Sequence, residues 1–156
     1  MKPAEFFTQT DSWVNKVMDS LNYKYNVDGS NFTSAGEASV SVKKILRRLG
    51  IDPETIRRVS VAMYEGEINM VIHAGGGVAE VFVDSDEIRI ILTDHGPGIA
   101  DVELAMQEGY STAPEKVRSL GFGAGMGLSN MKNYTDEMII DTEVGKGTTI
   151  TMVVKL

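Results

Sequence analysis

Three short stretches of this chain combine residue types that can do chemistry. The first is Glu65-Gly66-Glu67-Ile68-Asn69, followed by His73. A helix advances about 100° per residue, so Glu65, Asn69 and His73 share one face, each a turn apart, while Glu67 points elsewhere. On such a face an amide oxygen takes a hard cation such as Mg²⁺ and a carboxylate activates a hydroxyl or water. Taken alone, the pair also suits a solvated helix face, and His73 suits either a phosphate contact or a satisfied helix-end histidine. The second stretch is Leu92-Thr93-Asp94-His95-Gly96-Pro97-Gly98-Ile99, at the end of a predicted strand. An aspartate there, followed by glycines that let a flat ring approach the backbone, suits an exocyclic amine such as adenine N6. An ordinary strand-ending turn is the plainer reading. The third is Gly121-Phe122-Gly123-Ala124-Gly125-Met126-Gly127-Leu128-Ser129-Asn130, which opens a helix. Alternating glycines there expose successive N–H groups and the positive end of the helix dipole, a cradle for phosphate.

Two familiar glycine motifs are disfavoured. A Rossmann fingerprint belongs directly after the first strand of a parallel βαβ unit, whereas these glycines come late, behind a long irregular stretch. A Walker loop has lysine after its last glycine, and this chain has Gly127-Leu128-Ser129.

The elements that must position these residues follow from periodicity and punctuation. Phe6, Phe7, Trp13, Val14, Val17, Met18 and Leu21 repeat at helical spacing over residues 4–21. That predicts an amphipathic helix, which either packs on the domain or presents a dimer or partner surface. Tyr23–Val27 alternates as an edge strand, ended by Asp28-Gly29. A helix is predicted from Ser34-Ala35-Gly36-Glu37 to Leu49, with Ser34 and Glu37 spaced as a capping box and Gly50 at its end. Asp52-Pro53 starts the next helix, which runs to about His73 and is stopped by Ala74-Gly75-Gly76-Gly77. Val78–Asp84 and Glu87–Thr93 read as a hairpin, and a short helix is predicted near Val102–Gln107. A helix over Met126–Tyr134 then leads into strands Glu137–Thr142 and Thr148–Val154. With no repeat and no linker, this is one α+β domain with a mainly antiparallel sheet.

The chain has 156 residues, a formal net charge of −7, sixteen glycines and no cysteine. The length suits one domain with a real core. The acidic balance argues against nucleic-acid binding and anionic membranes, since the basic Lys43-Lys44 and Arg47-Arg48 pairs sit on one predicted helix. Without cysteine there are no disulfides, thiolate metal sites or cysteine nucleophiles. No apolar run approaches the roughly 20 residues that span a bilayer, so the expected location is cytoplasmic.

In order, E-x-x-x-N on a helix, D-x-G-x-G at a strand end and G-x-G-x-G at a helix start are far more specific than any one alone. The set resembles the N, G1 and G2 boxes of the GHKL superfamily (gyrase, the Hsp90 chaperones, histidine kinases and MutL) over roughly residues 30–156. Within it the chain is similar to the anti-sigma-factor serine/threonine kinases. Asn69-x-x-x-His73, Asp94-His95-Gly96-Pro97-Gly98-Ile99, Glu108-Gly109-Tyr110-Ser111-Thr112 and Gly145-Lys146-Gly147-Thr148-Thr149 carry that closer likeness.

The resemblance implies a Bergerat ATP-binding fold, a two-layer sandwich with helices on one face of a mainly antiparallel mixed sheet. Residues 1–22 would be an N-terminal helical extension, and 23–156 the kinase domain with a lid at about 100–122. ATP and Mg²⁺ are the implied cofactors. Asn69 would hold Mg²⁺, and Glu65 would be the general base. Asp94 would bind the adenine amine, with Gly96, Gly98, Ile99 and Thr148 beside it. Gly121, Gly123, Gly125, Met126, Gly127 and Leu128 would wrap the phosphates, with His73 near them. Ser111, Thr112, Lys116 and Arg118 of the lid would meet the γ-phosphate or a partner. Two features depart from the family: Gly66-Glu67 inside the helix, and the triple glycine 75–77.

The function implied is phosphorylation of a small STAS-type antagonist by an anti-sigma kinase, with that antagonist or a sigma factor as partner and a homodimer as its assembly. The alternatives are an ATP-gated binding switch without efficient transfer, and a stand-alone histidine-kinase-like ATPase domain. For the last, the only histidines, His73 and His95, lie at the nucleotide motifs and not on an upstream dimerisation helix.

Overall fold

The protein is described here from a computed structural model covering residues 20–107 and 127–156. Residues 4–19 of the helix predicted over 4–21, the lid residues Ser111, Thr112, Lys116 and Arg118, and Gly121, Gly123, Gly125 and Met126 lie outside the described residues.

Five strands form one sheet in the order β1-β2-β3-β5-β4, and each of its four pairings is antiparallel. They are β1 (Leu21–Asp28), β2 (Gly76–Val83), β3 (Glu87–Asp94), β4 (Glu137–Glu143) and β5 (Gly147–Lys155). Helices α1 (Glu37–Arg48), α2 (Pro53–Ala74) and α4 (Gly127–Asn133) cover one face, and α3 (Val102–Ala105) is a single turn. Leu46, Met63 and Met131 from the helices meet Ile88, Ile90 and Met152 from the sheet, all fully buried. Period-2 alternation turns these strand residues towards the helices and their neighbours away. Among the described residues no helix is long and apolar enough to cross a membrane.

The strand begins earlier than the alternating pattern predicts: Leu21 pairs with Val83, and this sheet contact takes Leu21 out of the expected N-terminal helix. A larger difference lies at the start of α1. Ser34 does not cap it; its hydroxyl donates to the Asn31 carbonyl at 3.0 Å, closing a 3-10 turn over Phe32–Ser34. Gly36 stands at the cap position with φ +96 and has no side chain to offer. The cap arrives from α2 instead. The Glu67 carboxylate, 1% exposed, accepts from the backbone N–H groups of Gly36 at 2.9 Å, Ala38 at 3.3 Å and Ser39 at 2.6 Å. Burial raises the pKa of this carboxyl, and those donors pull the other way.

Helix α2 starts as expected, with the Asp52 carboxylate accepting from the N–H of Glu54 and Thr55 and Pro53 in its first turn. It continues unbroken through Gly66 for 22 residues to the Gly75 cap at φ +71. A Cβ on Gly66 would overlap the Leu92 Cδ1 methyl and lie 3.3 Å from Met131 Cε, so this glycine lets α2 sit directly on β3 and α4. Gly76 and Gly77 belong to β2 rather than to a connecting loop. Their backbone lies so close to the Val27 and Thr93 carbonyls that side chains would not fit.

Candidate functional site

The predicted site residues within the described region gather where α2, α4 and the end of β3 meet. Glu65 and Asn69 occupy adjacent turns of one face of α2, as their spacing requires. Helix α4 contacts both. Asn130 Nδ2 donates to Glu65 Oε1 at 3.3 Å. A Cβ built on Gly127 would lie 2.9 Å from Asn69 Nδ2 and 3.0 Å from its Oδ1. Only a glycine at the first position of α4 lets the helix approach the Asn69 amide so closely. Among the described residues the Asn69 Nδ2 has a long contact, 4.0 Å, to the Met131 thioether. An amide oxygen and a carboxylate one helical turn apart are donor types that suit a hard divalent ion.

Asp94 ends β3, opposite Thr148 in the β3–β5 register. Its Oδ1 accepts from the Gly96 N–H at 3.0 Å, which folds the turn back and fixes the carboxylate. Gly96 packs on Ala74 at the end of α2, and a Cβ there would lie 2.6 Å from that of Ala74. Gly98, at φ +77, lies against the Glu143 backbone, while the Gly145 N–H donates to the Pro97 carbonyl at 2.8 Å. The β4–β5 turn is thereby pinned under the Asp94 loop. A hydroxyl chain continues the contact: the Ile99 N–H donates to Thr142 Oγ1 at 2.9 Å, and that oxygen lies 2.8 Å from Thr148 Oγ1. Thr148 is buried. Asp94, Gly98, Ile99 and Thr148 therefore form one connected wall, which fits a flat polar ring seated against the carboxylate.

His73 lies near Asp94 at the end of α2. Burial lowers its pKa, with the Asp94 charge opposing, so the imidazole is held towards its neutral form. Leu128 packs against the core cluster from α4. A depression of about 210 Å³ beside Asp94 opens on the other side of the sheet, because its lining residues Thr93, Asp141 and Thr149 stand opposite one another on the uncovered face. Asp94 and Glu143 also line it, and three acidic residues beside Lys146 make it a poor seat for phosphates.

Sequence reasoning missed two residues. In sequence Asn130 is only the end of the glycine stretch, and nothing local marks it as the partner of Glu65. The sequence places Glu67 only off the face shared by Glu65 and Asn69. A buried carboxylate inside an apolar stripe was the available signal, and the absence of a capping side chain at Gly36 was its complement.

The geometry is that of a histidine kinase-like ATP-binding domain, and residues 29–154 match the histidine kinase-like ATPase domain family. Among curated proteins, the chain is 33% identical over 136 residues to the anti-sigma F factor of Pasteuria penetrans, covering 80% of this chain and 87% of that one. It is 31% identical to the anti-sigma F factor of Geobacillus stearothermophilus, over 72% of this chain and 78% of that one. The chain belongs to the histidine kinase-like ATPase family, in its anti-sigma factor branch. Two solved structures share the fold. The structure of the RsbU and RsbW domains of Rv1364c from Mycobacterium tuberculosis matches with a TM-score of 0.59 and 17% identity, over 87% of this chain and 32% of that longer one. The SiaB-SiaC complex of Pseudomonas aeruginosa gives a TM-score of 0.53 at 9% identity, over 100% of this chain and 99% of the matched chain.

Proposed function

We propose that this chain is an ATP-dependent protein serine/threonine kinase that acts as a cytoplasmic anti-sigma regulator and phosphorylates a small STAS-type antagonist. The observation that carries this reading is the grip of α4 on α2, with Asn130 on Glu65 and Gly127 against Asn69. A domain that only bound nucleotide would need Asn69 and the Asp94 wall but no oriented carboxylate. The anti-sigma F relatives support the regulatory role.

In this reading Asp94 accepts from the exocyclic amine of adenine, and Gly96, Gly98, Ile99 and Thr148 seat the ring. N–H groups of Gly127 and Leu128 would face the phosphates, with His73 held towards its neutral form beside them, and Gly121, Gly123, Gly125 and Met126 are assigned to the phosphates on sequence grounds alone. Asn69 Oδ1 would hold Mg²⁺, which would offset the negative charge of the phosphates. Glu65 takes the proton of the incoming serine or threonine hydroxyl as its oxygen bonds to the γ-phosphorus. The bond from that phosphorus to the bridging oxygen breaks, and the electron pair leaves with ADP. Phosphoryl transfer asks mainly for positioning and charge, which these groups supply. Ser111, Thr112, Lys116 and Arg118 are assigned to the γ-phosphate or the partner, on sequence grounds alone.

The test compares Mg-ATP binding by wild type and Asp94→Asn, then follows labelled phosphate from ATP to STAS-type antagonist proteins with wild type and Glu65→Ala. Asp94-dependent binding, with label on a serine or threonine only when Glu65 is present, is the expected result. Undiminished binding by Asp94→Asn would remove the nucleotide reading. Binding without transfer would leave an ATP-gated switch that engages an antagonist or a sigma factor.

A further inference from the structure

The face of the sheet turned away from α1, α2 and α4 carries a few apolar residues set among polar ones that include Lys24, Glu80, Arg89, Thr151 and Glu137. Alternation and register place Phe82 of β2, Ile91 of β3 and Val153 of β5 there, all on inner strands, with Ile139 of β4 beyond them. Val153 stands opposite Arg89 and Glu137, on the other side of the sheet from the fully buried Met152 and Val154. Yet Val153 is only 4% exposed, as buried as the core, although no described helix lies over this face. At the far edge Ile139 is 66% exposed.

We propose that residues 4–18 of this same chain dock as an amphipathic helix across this open face. The attachment point is right: Leu21 pairs with Val83 and Asn22 with Phe82, so the preceding chain leaves the sheet beside the first apolar residue of the face. The composition is right: Phe6, Phe7, Trp13, Val14, Val17 and Met18 form a single stripe at helical spacing. The length is right as well. Fifteen helical residues span about 22 Å, and the four inter-strand steps from β1 to β4 span about 19 Å. A helix crossing from Asn22 would bring Val14 and Trp13 over Ile91 and Val153, and Phe6 and Phe7 to the exposed Ile139. Docked there, the segment occupies a face that a second copy of the chain would otherwise find free.

Trp13 is the chain's single tryptophan, so its fluorescence reports on this segment alone. The experiment uses the full chain as wild type, Ile91→Lys and Val17→Asp, each with ATP binding measured as the check on folding. The expected result is wild-type emission that is blue-shifted and shielded from acrylamide at every protein concentration. In both variants it should red-shift to the emission of the urea-unfolded chain while ATP binding persists. If Ile91→Lys fails to fold, Val17→Asp decides, because it lies outside the sheet. Three outcomes overturn the proposal. Trp13 is as accessible in the wild type as in urea; or its shielding grows with concentration in step with dimer in sedimentation, which assigns the face to a second copy; or shielding survives Val17→Asp.

Discussion

The Asn130 side chain on α4 donates to Glu65 Oε1 on α2 at 3.3 Å, across 65 residues of sequence. The bond restrains one oxygen of the carboxylate proposed as the general base. It also ties the orientation of the proposed base to the helix that follows the glycine-rich stretch.

Replacing Asn130 by leucine removes that restraint without touching the nucleotide wall. A hydrogen bond of this kind is worth about 1–2 kcal/mol, which corresponds to a roughly 5–30-fold slower transfer step. Single-turnover phosphorylation should fall by that factor while the Kd for Mg-ATP stays at the wild-type value. Equal losses in both would show that Asn130 serves the fold and not Glu65.

Gly127→Ala sets helix propensity against the site. Gly127 opens α4, so alanine gains at most the roughly 1 kcal/mol it has over glycine in a helix interior, and the melting temperature should change little. Its Cβ, however, would press on the Asn69 amide from 2.9 Å and displace the oxygen that faces the cation. Weaker Mg-ATP binding in a protein of undiminished stability is the expected pair of results, read by calorimetry and thermal melting.

Glu67→Leu tests the cap that α2 lends to α1. Leucine suits the burial but leaves the Gly36, Ala38 and Ser39 N–H groups without their acceptor. Leaving buried donors unsatisfied costs roughly 1–3 kcal/mol, to be read from urea midpoints. Introducing an asparagine at Gly36 would not restore the cap, since Tyr64 ring carbons lie 2.8–2.9 Å from where its Cβ would stand.

His73 gives a pH signature. Its folded pKa lies below the unfolded value of 6.5 because burial disfavours the imidazolium. As pH falls, the unfolded chain binds this proton before the folded one does, so stability declines through and below that value. The loss in urea midpoint between about pH 7.5 and 5.5 should be smaller in His73→Asn than in wild type. An identical loss in both would mean that His73 titrates alike in the two states.

Much of this protein was legible in its residues, because the relevant physics is local. Helices and strands announce themselves through periods of 3.6 and 2. Asp52-Pro53 and Gly75 mark the ends of α2 through bonds to residues close by in sequence. The spacing of Glu65 and Asn69 alone decides that they share a helix face, and the order of the three motifs points to the family. What the tertiary structure decided depends on groups far apart in sequence. Ser34 and Glu37 have the spacing of a capping box, but Glu67 caps α1 from another helix, and no local rule ranks a distant carboxylate above a nearby hydroxyl. Gly66 looked like a flaw in α2 until Leu92 and Met131 filled the space it leaves. The link from Asn130 to Glu65 and the fit of Gly127 against Asn69 exist only because α4 packs on α2. Sequence spacing sets which side chains share an element, and only packing sets which elements touch.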